Sequence, residues 1–385
     1  MAHFLFLQYC DLLCYSISIS ILQPTLSGAS LYISSGLYEV LLTMSNSTKL
    51  DNATLSMFLN KKASTTISII YMVVTVINMT GNGLSMWLLL FRTTPKTPSI
   101  IFMINLTLTD LALGLVLPYQ IIYQMNGYNW TLGSGMCRLL TIIFYANMYC
   151  SILTMTAISV DRYLGICRPM LFRNRRERKE IAVIVCLIMW TVVLLVLYPL
   201  MSTDLTFSVP ELGIITCFDV LKRNMLPSLA AWAAFLFTMF VILFLIPFCI
   251  TVFCYVGIIH KLTRVSKTDQ KEKAIRLAVT VLVVYMLCFT PNNIFLLAHT
   301  IRRLFYGDSL YMAYKLTLSL SCLNSCLDPF IYYFASKEFR QKLRQMLRLR
   351  TLSSVDTTLD PHRESIYSAQ YVSNGQGEQV RICST

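Results

Sequence analysis

Residues 137–163 read CRLLTIIFYANMYCSILTMTAISVDRY, an apolar run that starts near Cys137 and closes on the triplet Asp161-Arg162-Tyr163. The run is longer than the roughly 20 residues a helix needs to cross a bilayer. Arg162 therefore places a permanent charge where hydrocarbon meets water, with an acid beside it and a cluster of Arg residues just after. A charge at that depth is costly, so it either serves a function or snorkels to lipid headgroups. The triplet alone leaves both readings open, and the rest of the chain has to decide.

Of the 385 residues, 56% are hydrophobic and 13% charged. A soluble chain of this length would carry about 25% charged residues. The apolar residues come in long runs, which excludes an ordinary soluble core and points to membrane spans. The net charge of +13 does not mark a nucleic-acid partner, because the basic residues sit mostly in short connections between apolar runs. Cys150, Cys167, Cys186, Cys249, Cys254, Cys288, Cys322 and Cys326 lie inside those runs and read as small hydrophobes. None has zinc-ligand spacing with a His. Cys137 and Cys217 fall at a helix start and in a loop on one side of the membrane, where a disulfide fits.

Seven spans are expected, near 66–91, 99–124, 135–167, 180–202, 229–261, 272–301 and 309–334. Pro118, Pro199, Pro247, Pro291 and Pro329 fall inside them and should kink their helices. The basic clusters within 168–179, 261–273 and 337–350 assign one side as cytoplasmic. An odd number of spans then puts the N-terminus outside. Two glycosylation sequons, at Asn46 and Asn52, agree with this, and Asn129 is a weaker third. Asn78 and Asn105 also read as sequons but lie in spans.

Four regions follow: an extracellular segment over 1–65, the membrane domain over 66–334, an amphipathic cytoplasmic helix over 335–350, and a disordered tail over 351–385. Residues 4–22 are apolar but lack a preceding positive charge. Residues 1–43 read as a poor cleaved signal, a tethered extension or an unused upstream start before Met44, with the last two favoured. Phe339, Leu343 and Leu347 recur every four residues among Arg and Lys, the pattern of a helix lying on a membrane surface. The Ser- and Thr-rich tail offers phosphorylation sites.

Asn82, Asp110, Ser151, Asn324, Ser325 and Asp328 fall within spans, and no span brings a Lys or Arg to their depth. Two carboxylates there need a cation or a proton, unless a hydrogen-bonded structural network absorbs them.

These features, in order, make the chain resemble the rhodopsin-like (class A) G protein-coupled receptors over about 66–347. The likeness rests on Asn82, Leu106 with Asp110, Trp130 and Cys137, Asp161-Arg162-Tyr163, Trp190, Pro247 with Tyr255, Cys288-Phe289-Thr290-Pro291 and Asp328-Pro329-Phe330-Ile331-Tyr332. It implies an all-α seven-helix bundle that signals without chemistry. In the resemblance Arg162 pairs with Asp161 at rest, then meets a heterotrimeric G protein as Tyr255 and Tyr332 turn inward. Phe289 stands where the family more often has the toggle Trp, and Pro291 lets the sixth span swing outward. Asp110, Ser151, Asn324, Ser325 and Asp328 match the family's sodium pocket, so an allosteric sodium ion is expected and no other cofactor. Arrestin and receptor kinases are implied as partners of the tail. Two departures stand out: Lys271 replaces the acid that often locks the arginine, and Tyr285 stands where relatives often have Phe; they predict ligand-independent activity.

Asp328-Pro329 and Phe289 place the likeness in the branch holding purinoceptors and several lipid receptors. Nucleotide-binding members carry a His and, three residues on, a base above the sixth-span proline. Asn293 and Leu296 stand there in this chain. Losing two cationic donors costs phosphate binding about 1.5–3 kcal/mol for each charged hydrogen bond. The expected pocket comprises Phe144, Tyr145, Met148, Tyr149, Asn292, Asn293, Phe295 and Tyr314, with Lys222, His299, Arg302, Arg303 and Lys315 around its mouth. Aromatic walls under a cationic rim favour a lipid-like or lipid-conjugated anion over a nucleotide. Ordinary bundle packing remains the alternative for any single aromatic.

A membrane enzyme would need a nucleophile and base, or metal ligands, at depth. The four His residues lie elsewhere, and neither HExxH nor GxSxG occurs. A transporter would show internal repeats or helices broken at matched positions; the sequence shows neither.

Overall fold

The computed structural model describes residues 52–94, 96–168, 175–219, 229–264, 269–302, 310–335, 339–341 and 343. Within them the chain forms helices α1 Asn52–Leu59, α2 Lys61–Trp87, α3 Pro98–Met125, α4 Gly133–Cys167, α5 Arg175–Ser202, α6 Leu229–Thr238, α7 Ile246–Thr263, α8 Asp269–Ile301, α9 Tyr311–Ser321 and α10 Leu323–Ala335. A two-stranded antiparallel hairpin, β1 Thr206–Val209 and β2 Ile214–Cys217, links α5 to α6. Asn46, Lys222, Arg303, the stretch 1–43 and the tail from 351 lie outside the described residues.

Packing follows a closed ring. α2 packs on α3, α3 on α4, α4 on α5 and α7, α7 on α8, and α8 on α9 and α10, which return to α2. The outward faces are as apolar as the core: Leu115 is 64% exposed, Leu195 69% and Phe253 65%. Polar groups turn inward instead, with Asn78, Asn82, Asp110 and Asp328 fully buried. That inversion suits a bilayer and not water.

Local sequence accounts for the helix ends. Asn60 caps α2, its side-chain oxygen accepting from the Ala63 amide at 3.1 Å. Thr97 precedes Pro98 at the first turn of α3, the position where a missing N–H costs nothing. Past α2, a π-helical turn Leu88–Arg92 leaves carbonyls that the Lys96 ammonium covers, at 2.9 Å from Leu90 and 2.7 Å from Thr93. The fifth span is α6, a π-helical stretch Met239–Leu245 and α7, with Pro247 just beyond the irregularity.

Six helical stretches among the described residues are long and apolar enough to span a membrane. The seventh, expected as one run over 309–334, is broken at Cys322 into α9 and α10. Hydroxyls around the break compete for backbone carbonyls: Ser319 donates to Leu316, Ser321 to Leu318 and Ser325 to Cys322, each at 2.7 Å. The first span also starts at Lys61, earlier than the expected 66, and α1 precedes it. Met57 and Phe58 of α1 are buried. The Phe58 ring lies 5.0 Å from Tyr128 and 5.9 Å from Tyr311.

Candidate functional site

One end of the bundle is closed by the hairpin. Cys217, last in β2, is disulfide-bonded to Cys137 near the start of α4, with Cα atoms 5.7 Å apart. The register pairs Thr206 with Cys217 and Val209 with Ile214, and Gly213 supplies the positive φ of the turn. Asn129 accepts from the Ile215 amide at 3.1 Å and the Trp130 amide donates to Ile215 at 2.6 Å, so the α3–α4 loop clamps the hairpin.

Immediately after Cys217 the backbone turns sharply: Phe218 adopts φ +59°, a left-handed conformation costly for an aromatic residue. Its ring meets Tyr145 edge-on at 5.5 Å. The turn sends Asp219 inward, where its carboxylate forms an ion pair with Lys315 of α9. Tyr123 donates to the same carboxylate at 2.5 Å while accepting from the Cys217 amide at 3.1 Å, and Tyr311 donates to its other oxygen. Burial, then the nearby Asp219 charge, pushes the Tyr128 hydroxyl up to about 12, which keeps that neighbour neutral.

Two clefts meet at this cluster. One is walled by apolar groups including Leu200, Phe235, Leu236, Met239 and Leu296. The other is lined by Gln120, Thr141, Phe144 and Lys315 among others. Tyr145, Phe218, Asp219 and Tyr314 border both.

Below the clefts an aromatic series runs Phe244, Phe248, Tyr285, Phe289, with successive centroids 5.7, 6.0 and 5.5 Å apart. Beside it lies the polar core. Asn147 donates to Asp110 Oδ1 at 3.2 Å, and Asn324 donates to Asp328 Oδ2 at 3.0 Å. Asn82 links two helices, donating to Asn78 at 2.6 Å and to the Ser325 carbonyl at 2.7 Å. That carbonyl is the one Pro329 cannot satisfy. Asp110 Oδ2, Ser151 Oγ, Asn324 Oδ1 and Asp328 Oδ1 are buried without a protein hydrogen-bond partner. These are hard oxygen donors around two carboxylates, a set that fits a small cation.

At the far end, Ser99 donates to Asp161 at 2.8 Å. Arg162 borders a small cavity with Tyr255, Asp328 and Tyr332, and so faces the core that holds Asp328. The Tyr255 hydroxyl is buried and unpartnered. Tyr163 packs against Phe253 at 5.6 Å. The Lys271 side chain lies outside the described residues.

The expected pocket residues divide into groups. Phe144, Tyr145, His299, Tyr314 and Lys315 line the clefts. Met148, Tyr149, Asn292, Asn293 and Phe295 do not. Asn292 donates to the Met148 sulfur at 3.0 Å and Asn293 to the Phe289 carbonyl at 2.9 Å. His299 and Lys315 are buried and not a rim at the mouth; the His299 ring stacks on Tyr314 at 5.6 Å, while Arg302 is exposed. Asn52 is the first residue of α1. Asn78 and Asn105, discounted as sequons, are buried with engaged amides. Sequence reasoning missed Asp219 and Asn147. A charged residue two places after the loop cysteine was the available signal for the first.

A bundle with this disulfide, these buried carboxylates and an arginine at its far end is a rhodopsin-type receptor. The family model for the 7 transmembrane receptor (rhodopsin family) matches residues 81–332, and the chain belongs to that family. Purinoceptor 8 of Gallus gallus is 53% identical over 332 residues, 85% of this chain and 92% of its own. The S-geranylgeranyl-glutathione receptor of Homo sapiens is 52% identical over 331 residues, 85% of this chain and 91% of its own. Proteinase-activated receptor 2 of Homo sapiens is 37% identical over 332 residues, 84% of this chain and 83% of its own. The chain is thus a multi-pass G protein-coupled receptor and not an enzyme.

Proposed function

We propose that this receptor sits in the plasma membrane with its N-terminus outside and responds to an extracellular lipid-conjugated anion. The observation that carries the reading is the pair of adjoining clefts, one mostly apolar and one of mixed lining that holds Lys315, sharing Tyr145, Phe218, Asp219 and Tyr314. Such a site suits a molecule with a hydrocarbon tail and a charged head. The human relative named for S-geranylgeranyl-glutathione has that chemistry: a prenyl chain on a peptide carrying carboxylates. A nucleotide offers no tail for the apolar cleft, and Asn293 is already bonded to the Phe289 carbonyl.

Ligand binding at the disulfide end biases the aromatic series through Phe289. The sixth span then moves about Pro291, and the end bearing Asp161, Arg162 and Tyr163 opens to a heterotrimeric G protein of the Rho-activating class. Tyr255, Asp328, Pro329 and Tyr332 are the groups that shift around Arg162. Asp110, Ser151, Asn324, Ser325 and Asp328 would hold a sodium ion, whose charge balances the two carboxylates. Arrestin and receptor kinases engage the tail.

The test presents S-geranylgeranyl-glutathione, unmodified glutathione and ADP to cells expressing the chain, with sensors for each G-protein class. A Rho-class response to the prenylated conjugate alone is expected. A response to ADP at equal or lower concentration would transfer the receptor to the nucleotide reading.

A further inference from the structure

The geometry points to a zwitterion: we propose that Asp219 and Lys315 read the ligand's head group as a pair, Asp219 taking an ammonium and Lys315 a carboxylate. This rests on the lipid-conjugate reading and specifies its polar half. The two side chains form an internal ion pair at 0% and 10% exposure, so water compensates either charge poorly. Asp219 borders both clefts and Lys315 the mixed one. A ligand head entering between them meets the pair directly.

Charge accounting then selects the ligand. A simple anion that captured Lys315 would strip Asp219 of its counter-charge while leaving it buried, the costly way to break a buried ion pair. Tyr123 and Tyr311 would still donate to Asp219, but neutral donors supply no positive charge. A head group carrying both signs avoids the penalty, because it replaces each partner of the internal pair with one of its own. Two tyrosine hydroxyls hold Asp219 in place throughout, so the acceptor for the ammonium is already oriented. A peptide with a free amino terminus and a carboxylate, joined to a prenyl chain, meets these requirements; a fatty acid or a phosphate ester without an ammonium does not.

The test needs no variant for its main arm. Potency on the unmodified receptor is compared for S-geranylgeranyl-glutathione and its N-acetyl derivative, which keeps tail and carboxylates but loses the ammonium. Acetylation is expected to cost about tenfold or more in potency, the scale of one charge-assisted contact. On Asp219→Asn, with surface expression checked by antibody staining of intact cells, the two probes should converge to within about threefold. Equal potency on the unmodified receptor overturns the zwitterion proposal while leaving the lipid-conjugate reading in place. Silence of both probes on a surface-expressed receptor removes that reading and the proposal with it.

Discussion

Gly257 sets how closely α7 approaches the switch triplet. A Cβ built there would stand 2.6 Å from Tyr163 Cε2 and 3.2 Å from Cδ2, so the ring, which packs against Phe253, would have to shift. Gly257→Ala should therefore cost about 1–3 kcal/mol through overpacking. The expected outcome is a lower melting temperature in detergent and weaker G-protein coupling at unchanged agonist affinity. Unchanged melting and coupling would mean that α4 and α7 separate freely. Single residues were also where sequence reasoning was least complete. Asp110 and Asp328 stood out because carboxylates are rare inside spans. Asn147 did not, since an Asn among Tyr, Ala and Met reads as a minor polar break, and only the folded bundle aims it at Asp110.

The seventh span shows how an element is held despite its sequence. Serine hydroxyls loosen it at Cys322, and Pro329 orphans the Ser325 carbonyl one turn later. The repair comes from another helix, through Asn82. Gly81 beside it allows the approach, since a Cβ there would lie 3.1 Å from Pro329 Cγ. Asn82→Ala should remove about 1–3 kcal/mol, the cost of leaving a buried carbonyl unpaired. Thermal melting should fall accordingly, and hydrogen exchange should accelerate in α10 before it does in α3. Uniform exchange across the bundle would show that the carbonyl finds another donor. The proline was legible as a kink. The break at Cys322 was not, because hydroxyl-to-backbone bonds leave no periodic trace in an apolar run.

At the scale of the whole molecule, six of the spans and the place of 137–163 among them followed from apolar length, because a bilayer enforces it. The Asp219–Lys315 pair did not, since a loop acid and a span base are brought together only by the disulfide and the hairpin turn. Two predictions belong at this scale. Replacing sodium with N-methylglucamine should lower the melting temperature of the receptor but not that of Asp110→Asn, if a sodium ion occupies the four unpartnered oxygens. Equal shifts in both would take the ion out of the core. Lys271, at the start of α8 where the family resemblance leads one to expect an acid, should give expressing cells a basal Rho signal above mock-transfected cells; equal signals would show a switch held off by other contacts.

Phe58 touches both Tyr128 and Tyr311, and Tyr311 in turn donates to Asp219. The short helix ahead of the first span is therefore mechanically wired to the ion pair it overlies. An epitope tag, fluorophore or antibody fragment attached close to residue 52 becomes a lever on the binding cluster, not a passive label. Pharmacology measured with such a handle would report the handle as well as the receptor.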